Sequence, residues 1–168
     1  CLISKETIAE FPDEGVEDTT YVARTGAEAG IYIWNGSAYV LIASVGSGVV
    51  VIPIGVAASD ETSALTTGAG KVSFRLPFSY TLTAVRANLV TAQASGSIFT
   101  VDINQNGTSI LSTEITIDNT QKTSTTATTP AVILTSALTD DAEITVDIDQ
   151  IGNGSATGLK IWLIGSKT

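Results

Sequence analysis

The residues best suited to chemistry in this chain are its carboxylates. Asp102, Asp140, Asp141, Glu143, Asp147 and Asp149 fall in β-prone runs or in the turns between them. A glycosidase needs two carboxylates roughly 5–10 Å apart, flanking a sugar. Asp147 and Asp149 are two apart in an alternating run, so they share one face of a strand and can stand side by side. The same acids could supply oxygens to Ca²⁺, which takes about six to eight. No D-x-[DN]-x-[DN]-G loop accompanies them. A solvated polar face is the simpler reading, and Asp140-Asp141 reads as turn chemistry.

Nucleophilic catalysis is poorly provided for. Histidine is absent, so a serine or cysteine has no imidazole base. The only cysteine is Cys1, which rules out a disulfide within the chain and a Cys/His metal site. Gly46-Ser47-Gly48 resembles a nucleophile elbow only in outline and reads as a linker. No phosphate-binding glycine loop or dinucleotide fingerprint is present. The expectation is a non-enzyme with no catalytic, cofactor or metal residues.

Two sets of aromatic side chains could stack on sugars. Tyr32, Trp34 and Tyr39 surround one hairpin, where cross-strand packing is the commoner use. Trp162 alternates with Ile161 and Leu163, so it faces the opposite side of its strand from them. That side could be solvent, an interface or a second buried face. Asn35-Gly-Ser37, Asn106-Gly-Thr108 and Asn153-Gly-Ser155 each fit the N-glycosylation sequon. Each is also an Asn-Gly turn, which accounts for it without sugar.

Composition narrows the class further. Of 168 residues, 43% are hydrophobic and only 15% charged, against roughly 25% in typical soluble domains. A disordered chain has the opposite balance. The net charge is −9, and the eight Lys and Arg are scattered, so no basic stripe suits nucleic acid. No apolar run reaches the roughly 18–20 residues of a spanning helix, and the longest, 49–58, is cut by Pro53 and Gly55. Met is absent, including an initiator, which suggests a fragment or a processed product. A leading Cys is also what a processed bacterial lipoprotein carries.

These side chains must be positioned by strands. Residues 4–11 allow one helical turn with Ser4 as a weak N-cap, ended by Pro12 and Gly15. Strands follow at 19–23, 31–34 and 37–42, the last two joined by a tight Asn35-Gly36 turn with φ > 0 at both positions. Residues 1–43 therefore form a β-hairpin or meander unit, too small to bury much core alone. A Gly/Ser joint at 44–48 leads to a second unit, 49–168. There Val72, Phe74 and Leu76 alternate with polar residues, as do Val85, Ala87 and Leu89, then Phe99, Val101 and Ile103. Ile115 and Ile117, the stretch 131–134, Ile144, Val146 and Ile148, and Leu159, Ile161 and Leu163 continue the pattern. About eight short strands with no convincing helix predict an all-β fold, an antiparallel, jelly-roll-like β-sandwich. The echo between TVDINQ at 100–105 and TVDIDQ at 145–150 suggests equivalent strands of two sheets, or simply a favourable half-buried strand twice over.

Two stretches resemble tailed-phage fibre and appendage proteins. GVEDTTYVARTGAEAGIYIWNGSAYVLI, at 15–42, is similar to a short hairpin module of such fibres, carried by Tyr21, Val22, Tyr32, Trp34, Asn35, Gly36 and Tyr39. Around Val85–Gly165, LTAVRANLVTAQASGSIFTVDINQNGTSILSTEITIDNTQKTSTTATTPAVI, at 82–133, and DDAEITVDIDQIGNG, at 140–154, are similar to a β-sandwich module of phage virion proteins. The resemblance implies a homotrimer on the virion surface. It implies partners among other fibre or baseplate proteins, and contact with a host glycan or receptor. A purely architectural capsid or shaft subunit and a processed bacterial surface lipoprotein remain the alternatives. Ligand-binding residues stay unassigned. The Thr/Ser loop at 119–129 and the turns at 104–108 and 151–156 are the places where a β scaffold would carry them.

Overall fold

The computed structural model describes residues 2–5, 7–16, 19–24, 29–44 and 50–168. The chain divides into two compact units, Cys1–Val49 and Val50–Thr168. Cys1 and residues 45–49, most of the expected Gly/Ser joint, lie outside the described residues.

In the first unit, β1 (Leu2–Lys5), β2 (Thr20–Ala23), β3 (Gly30–Trp34) and β4 (Tyr39–Ser44) form one sheet in chain order. The helical turn expected over 4–11 shrinks to a three-residue 3₁₀ turn, Ile8–Glu10, and Ser4 belongs to a strand. β1 pairs in parallel with β2, and Ser4 Oγ accepts from Arg24 Nε at 2.7 Å. Pairing with a neighbouring strand satisfies the backbone of 2–5 better than an isolated helical turn, whose nucleation is unfavourable. The Asn35-Gly36 hairpin also differs from expectation. Trp34 pairs with Tyr39, leaving a four-residue loop in which Gly36 has φ 93° and Asn35 is not left-handed. Asn35 works through its side chain, whose Oδ1 accepts from the backbone N–H groups of Ser37 at 3.0 Å and Ala38 at 2.9 Å.

The second unit carries eleven named strands: β5 (Val51–Ala57), β6 (Gly68–Arg75), β7 (Tyr80–Asn88), β8 (Phe99–Gln105), β9 (Thr108–Ser109), β10 (Leu111–Thr113), β11 (Ile115–Ile117), β12 (Val132–Ile133), β13 (Ala137–Leu138), β14 (Glu143–Gln150) and β15 (Lys160–Lys167). One sheet runs β11-β8-β14-β6, with β9 on β8, and the other runs β13-β7-β15-β5. β10 and β12 form a separate ribbon. Every pairing is antiparallel. Phe99, Val101, Ile103, Ile144, Val146 and Ile148 from the first sheet share one core with Tyr80, Leu82, Ala87, Ile161 and Leu163 from the second. The expected all-β sandwich is therefore present. Alternating apolar residues from both inner faces fill it.

Local irregularities set which side chains face outward. In β7 the pairing with β15 shifts between Ile164↔Ala84 and Gly165↔Leu82, so Thr83 is an extra residue. This bulge reverses the alternation. Tyr80 and Leu82 point inward before it, and Ala87 after it, while Arg86 is turned outward. β5 forms an edge strand in the apolar run at 49–58, and an edge is where a strand tolerates Pro53. The echoing segments are not equivalent strands of two sheets. They are β8 and β14, paired neighbours in one sheet, with Ile103 opposite Val146 and Asp102 opposite Asp147.

Candidate functional site

The acids singled out from the sequence separate into two groups. Asp140 and Asp141 form the turn into β14, and Glu143 is the first residue of that strand. Asp141 is left-handed at φ 57°, and its main-chain oxygen accepts from Arg75 Nη1 at 2.7 Å. Glu143 Oε1 accepts from Ser73 Oγ at 2.9 Å. Asp102 and Asp147 lie further along the outer face of the same sheet, with Asp149 and with Glu114, the one that periodicity did not single out, close to them. Asp147 Oδ1 accepts from the N–H of Gly70 at 2.6 Å and its Oδ2 from Asn104 Nδ2 at 3.0 Å. Asp102 Oδ1 accepts from Ile103 N at 2.8 Å and Ser109 Oγ at 2.7 Å. Asp149 is the extra residue of a bulge in the β14–β8 pairing. Partial burial raises the carboxyl pKa of Asp149, helped by the charges of Asp102 and Asp147. Burial also raises that of Glu114, helped by Asp149 and Asp102. Asp102 and Asp147 thus serve as hydrogen-bond acceptors for the strands around them. No group of three or more potential metal ligands occurs among the described residues.

The hairpin aromatics are core. Tyr21 and Tyr32 are buried, and Phe11 lies 5.2 Å from Tyr21, 5.8 Å from Tyr32 and 5.0 Å from Tyr39 between ring centroids. Tyr39 is edge-on to Tyr21 and to Trp34, and its hydroxyl donates to Pro12 O at 2.9 Å. These contacts match the tilted and edge-to-face arrangements that stabilise aromatic clusters. The three sequon asparagines act in turns. Asn106 and Gly107 have φ 50° and 79° in the β8–β9 hairpin, and Asn106 Oδ1 accepts from Glu143 N at 3.0 Å. Asn153 Oδ1 accepts from Ser155 Oγ at 2.8 Å.

Trp162 differs from those rings. It is 40% exposed on the outer face of the β13-β7-β15-β5 sheet, paired with Arg86 on one side and Gly55 on the other. A Cβ at Gly55 would lie 2.6–3.0 Å from three atoms of the indole six-membered ring, so the ring rests directly on the glycine backbone. The indole N–H donates to Asn88 Oδ1 at 3.0 Å, which fixes the ring's rotation. Around it opens a cavity of about 390 Å³ lined by Pro53, Arg86, Ala87, Asn88, Thr123, Thr125, Trp162 and Ile164. A second hollow of about 270 Å³ shares Arg86 and Thr125 with it and continues to Ala127, Pro130 and Ala131.

The wall of this groove is the Thr/Ser loop at 119–129, held on the edge of β7. Leu89 N donates to Lys122 O at 2.9 Å, and Ala87 N to Ser124 Oγ at 2.9 Å. Asn88 and Thr123 form a bridge. The loop thereby covers a strand edge that would otherwise expose unpaired backbone groups. Within it, Thr123 caps the 3₁₀ turn Ser124–Thr126, and Asp118 accepts from both the N–H and the hydroxyl of Thr128. Its root is tied by Gln93, which is fully buried. Gln93 Nε2 donates to Ser97 O and to Asn119 Oδ1, each at 2.7 Å, and its Oε1 accepts from Gly152 N at 2.7 Å. The result is a fixed aromatic platform flanked by a guanidinium, an amide and two hydroxyls. Such a mixture of apolar floor and a few convergent polar groups is typical of small-ligand sites.

No protein-family model, curated protein or solved structure matches this chain. Of the groove residues, only Trp162 and the loop carrying Thr123 and Thr125 were marked by the sequence. Arg86 and Asn88 are the polar half of an alternating strand, and Pro53 and Gly55 interrupt an apolar run, so local spacing sets neither pair apart.

Proposed function

We propose that this chain is a structural and attachment module of a phage tail fibre or a similar virion appendage, contacting a host-surface glycan through the Trp162 groove. The observation that carries the reading is the exposed indole. It is fixed at its N–H by Asn88 and from below by Gly55, and faced by loop hydroxyls. A pyranose offers an apolar C–H face to such a ring and hydroxyls to the polar rim. The strand orders support a jelly-roll module. Counting the eight strands of the two main sheet paths in chain order, they run first-eighth-third-sixth and second-seventh-fourth-fifth, the arrangement of a double Greek key.

Assembly as a homotrimer belongs to the same proposal. Its support is the bare apolar surface of the first unit, where Ile33 and Val40 are paired across strands and both exposed, with Ile42 next on the Val40 face of its strand. Copies of the chain would bury that surface and multiply a weak sugar contact. The same surface favours the second reading, an architectural subunit that stacks and binds nothing on the host. A panel of bacterial envelope glycans separates the two. The attachment reading expects the chain to bind members of the panel and Trp162→Ala to lose that binding while its circular dichroism is unchanged. Binding that survives Trp162→Ala would put the sugar elsewhere on the chain and overturn the groove, and no binding at all would leave the architectural reading.

A further inference from the structure

We infer that the Trp162 groove selects saccharides that carry a carboxylate, the sugar ring lying on the indole and the carboxylate held by Arg86. The inference deepens the attachment reading and rests on it.

Arg86 is exposed and stands directly opposite Trp162 across β7 and β15. It takes part in neither of the two ion pairs among the described residues, and its guanidinium has no hydrogen-bond partner there. The chain has 17 acidic residues, yet none lines either of the two hollows that meet at Arg86. With no carboxylate in the lining, the guanidinium fork is free for a ligand. A planar guanidinium matches a carboxylate with two parallel hydrogen bonds, which an ammonium cannot reproduce.

The rest of the groove restricts the ligand to one such charge. The remaining polar groups are the Asn88 amide and the hydroxyls of Thr123 and Thr125, which suit sugar hydroxyls. A polyphosphate or nucleic acid would need several cations, and a net charge of −9 repels a polyanion. The indole N–H is already spent on Asn88, so Trp162 offers its face and not a donor. Because the loop is pinned to β7 by Leu89 N and Ala87 N, the site is formed before the ligand arrives.

The test is calorimetric titration of the full chain with matched pairs of oligosaccharides. Each pair consists of a hexuronic or sialic acid member and its carboxyl-reduced neutral counterpart. The wild type should bind acidic members about tenfold more tightly than the neutral ones. Arg86→Gln should abolish that preference while retaining the neutral affinity, and Arg86→Lys should keep only part of it. Arg75→Gln, on the other sheet, should change nothing. Equal binding of acidic and neutral members, or a preference that persists in Arg86→Gln, would overturn the inference and leave the attachment reading intact. Binding of no member at millimolar concentration would overturn both.

Discussion

Replacing Gln93 by leucine should lower the stability of the second unit by about 3 kcal/mol. The amide is completely buried and makes three side-chain hydrogen bonds, to Ser97 O, Asn119 Oδ1 and Gly152 N. Leucine fills the space and satisfies none of them. Ser97 O and Asn119 can regain water at about 1 kcal/mol each, since re-solvation recovers much of a neutral hydrogen bond. The Gly152 N–H is worse placed. A Cβ on that residue would already meet Ser95 O at 2.3 Å and Ser97 O at 2.8 Å, so there is little room for a water. A buried, unpaired donor costs about 2 kcal/mol, and the apolar gain of leucine offsets about 1. For a chain of this size the loss corresponds to a fall in Tm of about 10 °C, read by circular dichroism. Gln93→Glu separates hydrogen bonding from packing. It keeps an acceptor for Gly152 but turns an oxygen toward two other oxygens, so it should be at least as unstable at neutral pH. It should recover in part when acid protonates it. A leucine variant melting within about 2 °C of wild type would refute the reasoning, because it would mean the three bonds contribute nothing net.

Further outcomes follow from other parts of the molecule. Asp149 and Glu114 have raised pKa values, so their ionised forms are disfavoured in the folded state and stability falls as pH rises through the carboxylate range. Asp149→Asn should therefore raise Tm at pH 7, with the gain disappearing in acid; melting curves at the two pH values check the sign. Asp60 runs the other way. Hydrogen bonds from the backbone of Ser63 and Thr62 hold its pKa at about 2, so its contribution is present at neutral pH and fades only as pH falls toward that value. Gly55→Ala should lift the indole off β5, seen as a changed Trp162 emission in a Trp34→Phe background, and should weaken any saccharide bound there. Light scattering after gel filtration should give about three times the 17.3 kDa chain mass if the chain assembles alone, and a 17 kDa species would count against self-assembly of this chain.

Much of the fold was legible because alternation in β8, β14 and β15 reports burial directly: Val101, Ile103, Val146, Ile148, Ile161 and Leu163 all point inward. What stayed hidden depends on pairings between distant segments. β1 has no alternation of its own and exists because β2 offers an edge. β5 was masked by Pro53 and Gly55, which are tolerable only because the strand is at an edge and lies beneath a tryptophan. That Trp162 faces the opposite side from Ile161 and Leu163 could be deduced, but not that this side is exposed or what surrounds the ring. The groove collects Pro53, Arg86, Asn88, Thr123 and Thr125 from three separate stretches of chain, and no local spacing encodes that meeting. For the acids, spacing left a paired site open beside the simpler polar face; Asp147, of that pair, accepts hydrogen bonds from Gly70 and Asn104, and Asp149 is the extra residue of a bulge.

Attachment through the Trp162 groove is tested most directly by locating a bound sugar. Isotope-labelled protein would be titrated with a glycan that the panel shows to bind, and the perturbed amide and indole resonances mapped. The account predicts that the largest shifts fall on Trp162 Nε1–H, Arg86, Asn88, Thr123 and Thr125. Shifts concentrated instead on the turn at 151–156, on the Asp102–Asp147 face or on the first unit would contradict it.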